Sequence, residues 1–314
     1  MSSVLSAKHF HDEAAAYRWV EARLWQNGPE CPRCGHHDRI SLMKGKSTRI
    51  GAYKCYKCRK PFTVKIGTIF ESSHVPMHIW LQAIHLMAAS KKGFSTHQFA
   101  RVLGVTLKTA WFMSHRIREA MKDDGGSFGG GGGIVESDET FFGQNPEAAP
   151  NRMPIRNMNA IMTLVDRSTG RARSVVMSKL NSATIGEIFR ENVESEARIY
   201  TDEATFYKSA AKPYADHQTV NHAAGEFYRR EDVTVHTQTV ENYYSVFKRG
   251  MRGTYQHCAR KHLHRYCREF DFRYSHRAKL GFDDAERATA LLKGMKGRRL
   301  TYRRADVGAD CALA

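Results

Sequence analysis

Apolar positions change their period along this chain. Around residues 12–26, Tyr17, Val20 and Leu24 recur at helical spacing behind Asp12, a natural N-cap, and Pro29 and Pro32 stop the run. Residues 31–70 carry short strand-like runs such as Ala52-Tyr53-Lys54 and Pro61-Phe62-Thr63-Val64. Helical spacing returns over residues 77–90, and then in a pair, 95–103 and 107–121, divided by Gly104 and capped by Ser95 and Thr106. Seven of the nine residues 125–133 are glycine, which predicts a flexible hinge between domains.

Beyond the hinge the period shortens to that of strands. Residues 161–166 and 172–177 flank Arg167-Ser168-Thr169-Gly170 and predict a hairpin. A helix over 182–192, capped by Asn181 or Ser182, leads to a strand ending near Asp202. A short helix over 204–211, a strand over 218–222 and a helix carrying Glu241 follow. With the strand that ends at Asp138, the order is β-β-β-α-β-α-β-α, the order of a ribonuclease-H-like α/β fold. Asp283, Asp284 and Glu286 open a last helix over 285–293. The expected organisation is an N-terminal helix (1–30), a small β module (31–70), a helical domain (75–122), the glycine linker (123–133), an α/β domain (134–280) and a basic C-terminal helix and tail (281–314).

Charge narrows the partners. The 314 residues hold 49 Lys+Arg against 32 Asp+Glu, a net +17. Residues 242–304 alone carry 17 Lys+Arg and 5 Asp+Glu, a net +12. Such an excess favours a polyanion, usually nucleic acid. No apolar run approaches the ~20 residues that span a bilayer, and residues 9–30 lack the apolar centre of a secretory signal, so neither membrane insertion nor export is expected.

Seven cysteines include two close pairs, Cys31/Cys34 and Cys55/Cys58, in a C-x₂-C-x₂₀-C-x₂-C spacing. Four thiolates brought together by a hairpin hold Zn²⁺ in a closed, structural site. Cys258, Cys267 and Cys311 are scattered singles. The helix pair at 95–121 has the layout of a helix-turn-helix. Phe99, Val102, Leu103, Val105, Leu107, Trp111 and Ile117 supply its apolar side, and Lys108, Thr109, Ser114, His115, Arg116 and Arg118 its polar side. Lys108, Thr109, Arg116 and Arg118 are the expected DNA contacts; a plain helical pair is the alternative.

Three carboxylates stand in separate contexts. Asp138 and Asp202 each end an apolar run, and Glu241 sits in the first turn of a helix. Two strand-end aspartates and a helical glutamate are suited to converge on two Mg²⁺ or Mn²⁺ ions for phosphoryl transfer. Acids this scattered also occur as ordinary surface residues. Lys248 lies seven positions after Glu241, on the same helical face. Asn242 offers an amide oxygen as an alternative ligand. Glu136 shares a strand face with Asp138, and Glu139, Glu203 and His236 adjoin the acids.

Several segments together carry a resemblance. Val135-Glu136-Ser137-Asp138-Glu139-Thr140-Phe141-Phe142-Gly143, Tyr200-Thr201-Asp202-Glu203 and His236-Thr237-Gln238-Thr239-Val240-Glu241-Asn242 are similar to the three catalytic blocks of DDE transposases of the ISXO-like insertion-sequence family. Phe247-Lys248-Arg249-Gly250-Met251-Arg252-Gly253-Thr254-Tyr255-Gln256-His257, Phe270-Asp271-Phe272-Arg273-Tyr274 and Arg298-Arg299-Leu300-Thr301-Tyr302-Arg303 resemble it too. The resemblance implies a ribonuclease-H-like catalytic domain behind a zinc ribbon and a helix-turn-helix. It implies Asp138, Asp202 and Glu241 as metal-binding catalytic residues, with Lys248 as a catalytic basic residue. It implies Lys248, Arg249 and Arg252 as DNA contacts. The expected activity is binding of terminal inverted repeats, hydrolysis of the 3′ strand ends and their joining to target DNA, by a homo-oligomer in the bacterial cytoplasm at the nucleoid. The rival reading is a non-catalytic DNA-binding regulator derived from such an enzyme.

Overall fold

The computed structural model describes residues 3–148 and 153–301. Cys311 and the part of the basic tail from residue 302 on lie outside them. The chain divides into two compact units. One takes the chain up to Leu86, Thr96–Ala120 and the segment from Ala288 onward; the other takes Met87–Ser95 and Met121–Arg287. No helix among the described residues is long and apolar enough to cross a membrane.

The first unit opens with α1 (Glu13–Leu24), where Asp12 accepts a hydrogen bond from the Ala15 amide at 2.6 Å as the sequence anticipates. Three short antiparallel strands follow, β1 (Ile40–Leu42), β2 (Tyr53–Cys55) and β3 (Pro61–Phe62), in the order β1-β2-β3. All four sulfurs of Cys31, Cys34, Cys55 and Cys58 lie within 4.8 Å of one another. Cys31–Cys58 and Cys34–Cys55 are 3.7 Å apart. A tetrahedral zinc with bonds of about 2.3 Å has sulfur–sulfur edges of about 3.8 Å, so the cluster fits the ion.

The first unit continues with α2 (Met77–Ala89, its last residues in the second unit), α3 (Thr96–Leu103) and α4 (Leu107–Ala120). Gly104 turns the chain between α3 and α4 at φ +63°, and the Thr106 hydroxyl caps α4 at the Thr109 amide. The tail returns to this unit. The Gly297 amide donates to the Gly67 carbonyl, and Arg298 reaches the Glu119 carbonyl.

The second unit is a five-stranded mixed sheet, of ribonuclease-H-like type. β4 (Ile134–Gln144), β5 (Met158–Asp166) and β6 (Ala172–Val176) form an antiparallel meander. β7 (Arg198–Asp202) and β8 (Asp216–Val220) add in parallel on the other side, giving the order β6-β5-β4-β7-β8. α5 (Ser182–Asn192) and α6 (Thr205–Ala210) cover one face with Ile185, Phe189 and Tyr207. On the other lie α7 (Gln238–Gly250) and α8 (Arg260–Ser275), with Tyr243, Phe247 and Phe270. β5, between β6 and β4, is buried on both sides, Met162 and Leu164 toward one core and Ile161 and Val165 toward the other. α9 (Asp284–Lys293) ends the described helices.

Two expectations need correction. The glycine segment is not a loose hinge. Phe128 is fully buried, its backbone pairs with Asn192 and Glu194, and the Gly129 amide donates to Asp166. Gly129 has φ +78°, and a Cβ there would fall 2.3 Å from that of Ala197, so glycine serves close packing. Second, α4 buries most of the side read as DNA-facing. Ser114, His115, Arg116 and Arg118 are buried, whereas Lys108 is exposed. Arg116 donates to the carbonyls of Ile69, Glu71 and Leu300, and Arg118 to the Ser114 hydroxyl. Val102 and Leu107, counted in the apolar side, are exposed at the turn.

One zinc per chain is the expected result of elemental analysis. Cys55→Ser should abolish it and lower the melting temperature by several degrees or more, because metal binding of this kind is folding free energy. A zinc-free preparation that melts unchanged would contradict the assignment.

Candidate active site

Strand register sets the first two acids. β4 pairs in parallel with β7 from Ile134↔Arg198 to Glu136↔Tyr200. Continued by two residues, that register sets Asp138 level with Asp202. Asp202 ends its strand as expected, but Asp138 stands in the middle of β4. What ends near Asp138 is the pairing with β7, which leaves that edge of β4 open. Asp138 accepts from the Glu139 amide at 2.8 Å, and Asp202 from the Ala204 amide at 3.0 Å.

The third acid is delivered by α7. Val240, Tyr243, Tyr244 and Phe247 bury one side of this helix in the core. The Tyr244 hydroxyl donates to the Asp138 carbonyl at 2.6 Å, tying helix to strand at the site. Glu136, fully buried two residues before Asp138, accepts from the amides of Thr239 (2.8 Å) and Val240 (3.0 Å), at the start of α7. Its other oxygen pairs with Arg167, which also holds the Thr234 and His236 carbonyls. The neighbour that the sequence left as a candidate ligand is therefore an anchor for the glutamate helix. His236 likewise packs at Arg167 and Glu136.

Glu241 is exposed on the first turn, held by the Thr237 hydroxyl (2.9 Å) with His222 Nε2 at 3.3 Å. His222 stands on the turn after β8, its Nδ1 bonded to the Glu226 carbonyl. Sequence reading missed both partners; Thr237 sits four residues before Glu241 and was discoverable from helical spacing, while His222 had no local signal. Glu139 accepts from the buried Tyr207 hydroxyl at 2.6 Å. Lys248 Nζ lies 5.9 Å from the centre of the Tyr244 ring, and Arg249 and Arg252 are exposed. Asn242 is turned away from this cluster, into a groove on the next stripe of α7.

Burial pushes the Asp138 carboxyl from its ordinary 3.8 up to about 8, with further upward pressure from Glu139, Asp202 and Glu241. Burial and the adjacent Glu203 raise Asp202 as well. The acids thus share one electrostatic neighbourhood. Their oxygens do not gather as tightly as the thiolates do: among the described residues only the cysteine cluster has its ligand atoms within 4.8 Å.

The sign of the Asp138 shift makes it a stability statement. The folded state binds that proton more tightly than the unfolded chain, so stability present at low pH is lost as pH rises from about 4 to about 8. Asp138→Asn should therefore raise the melting temperature of metal-free protein at pH 8.5 more than at pH 5. Each kcal/mol relieved is worth about 2–4 °C in a domain of this size. Equal effects at both pH values would contradict it. Glu136→Ala strands Arg167 and two helix amides, and should cost about 3–5 kcal/mol in denaturant unfolding; a loss below about 1 kcal/mol would deny its anchoring role.

Comparison with known proteins agrees with this architecture. An ISXO2-like transposase domain matches residues 131–275, and a transposase zinc-ribbon domain matches residues 11–61. An uncharacterized protein in transposable element ISH50 of Halobacterium salinarum is 23% identical, over 86% of this chain and 93% of its own length. A chain in the cryo-electron microscopy structure of the simian T-cell lymphotropic virus intasome with PP2A regulatory subunit B56 gamma is 13% identical. It aligns over 56% of this chain and 63% of its own, at a TM-score of 0.28. With the zinc ribbon and the α/β domain both matched, in the order in which the two units present them, this chain belongs to the ISXO2-like transposase family.

Proposed function

We propose that the chain cuts and joins DNA ends at the carboxylate cluster of Asp138, Asp202 and Glu241. The observation that carries this reading is geometric: Asp138 and Asp202 stand level where the pairing of β4 with β7 ends, and Glu241 lies on the first turn of the helix that Tyr244 ties to the Asp138 carbonyl. Buried and clustered carboxylates of this kind are characteristic of sites that hold a cation or carry out a reaction. Hard carboxylate oxygens on two strands and a helix suit Mg²⁺ or Mn²⁺, held as the pair of ions that phosphoryl transfer uses.

In this reading Asp138, Asp202 and Glu241 hold the ions, with Asp138 deprotonated on binding. The bound ions supply an activated water or 3′-hydroxyl and charge stabilisation at the scissile phosphate. Glu136 fixes the start of α7, and thereby Glu241, against β4. His222 and Thr237 orient the Glu241 carboxylate. Lys248, on the same stripe as Glu241, contacts a phosphate beside the reacting one. Arg252 extends that cationic line beyond the helix, and Arg249 adds a cation on the neighbouring stripe. Lys108 and Thr109, at the exposed start of α4, contact the terminal repeat, since the start of the second helix reaches base edges in helix-turn-helix proteins. Two DNA ends must meet for joining, so the active form is a homo-oligomer on DNA.

The test uses DNA carrying the element's own ends, read from the sequence that flanks the gene. Asp138→Asn and Glu241→Gln should each lower Mg²⁺-dependent end cleavage at least about 100-fold, with terminal-repeat binding in the absence of added Mg²⁺ or Mn²⁺ unchanged. Lys248→Ala should weaken that binding and reduce the slope of log affinity against log salt by about 1. Wild-type cleavage by Asp138→Asn would overturn the assignment. Binding by the wild-type protein with no cleavage under any Mg²⁺ or Mn²⁺ condition would favour the regulator.

A further inference from the structure

α7 carries a second polar stripe. Asn242, Val246 and Arg249 follow Glu241, Ser245 and Lys248 by one residue each, so they lie about 100° round the helix. This second stripe forms one wall of a cavity of about 480 Å³ within the α/β unit. The segment after α2 and the end of α8 supply the other walls.

Six cationic side chains line the cavity and no carboxylate does: Lys91, Arg249, Arg273, Arg277, Lys279 and Arg287. Two are neutralised at home. Arg273 is buried against Glu269, and Arg287 pairs with Asp284. Arg277 is oriented but not neutralised; it donates to the Gly170 and Tyr274 carbonyls at 2.8 and 2.6 Å and stacks on the Tyr274 ring at 4.0 Å. Arg249 is braced on the Ser245 carbonyl and hydroxyl. Lys91 and Lys279 are exposed, and among the described residues neither has a carboxylate partner. Four cations therefore face one concave surface without a counter-charge, over a floor that includes Val246 and Phe270.

We propose that this groove is a second DNA-backbone site, holding phosphates of the same duplex whose strand reaches the carboxylates. Concentrated, unneutralised and partly pre-oriented cations match a polyanion rather than a single small anion. The groove begins at the residue after Glu241 and the residue after Lys248, within one helix width, about 10 Å, of the cutting stripe. Duplex lying across α7 meets both. The proposal rests on the DNA-cutting reading above, but its test does not.

The experiment is fluorescence anisotropy of the full, zinc-loaded chain with a labelled duplex of arbitrary sequence, without added Mg²⁺ or Mn²⁺, over a salt series. Lys91→Ala combined with Lys279→Ala should flatten the slope of log affinity against log salt by about 2, near 0.9 per lost phosphate contact. Affinity at about 0.1 M salt should fall at least about tenfold. Lys91→Arg combined with Lys279→Arg should restore the wild-type slope, which a packing defect would not. An unchanged slope in the double alanine variant overturns the groove, whatever Asp138→Asn does to cleavage. A flattened slope, restored by arginine, supports the groove even where Asp138→Asn cleaves normally and the carboxylate assignment fails.

Discussion

The buried carboxylate of Glu136 is the contact on which the geometry of the site depends. It lies in the central strand and accepts two amides at the start of α7, so it joins the strand of Asp138 to the helix of Glu241 within a few residues of each. A charge taken fully out of water is costly unless every lone pair is satisfied. Here Arg167 and the positive end of α7 satisfy it. Arg167 in turn gathers the Thr234 and His236 carbonyls, so the loop that enters α7 is drawn into the same knot. The Tyr244 hydroxyl on the Asp138 carbonyl adds a second tie one helical turn further on. The position of Glu241 is thus determined by groups outside the cluster of Asp138, Asp202 and Glu241.

That rigidity lets the protein tolerate an unfavourable arrangement of charge. Burial, with Glu139, Asp202 and Glu241 nearby, makes the Asp138 carboxyl hold its proton to unusually high pH. Stability spent in this way is characteristic of sites prepared for a cation or a reaction. The packed faces of α7 and β5 offset it, with Tyr243 and Phe247 on one side of the sheet and Ile185 and Phe189 on the other.

Much of this was legible in the sequence where signals are local. The turn Arg167-Ser168-Thr169-Gly170 forms as read, because Asp166 accepts from the Ser168 and Thr169 amides and Gly170 adopts φ +68°. Two C-x₂-C pairs announced a thiolate cluster, and the apolar stripe of α7 is buried as its spacing implies. The failures came where the deciding partner is remote. Arg116 reads as a groove contact until carbonyls some 45 and 184 residues away claim it. Seven glycines read as a hinge because composition hides the one anchoring side chain, Phe128. Asp138 reads as the end of its own strand, whereas the edge beside it is made by the end of pairing with β7. His222 reaches Glu241 only through the fold.

The central claim is that Asp138, Asp202 and Glu241 form one divalent-cation site. Titration of Mn²⁺ into the protein, with free ion followed by electron paramagnetic resonance, measures it without DNA or turnover. The account predicts binding by the wild type that weakens at least about tenfold in each of Asp138→Asn, Asp202→Asn and Glu241→Gln. Wild-type Mn²⁺ affinity in any one of the three would contradict it.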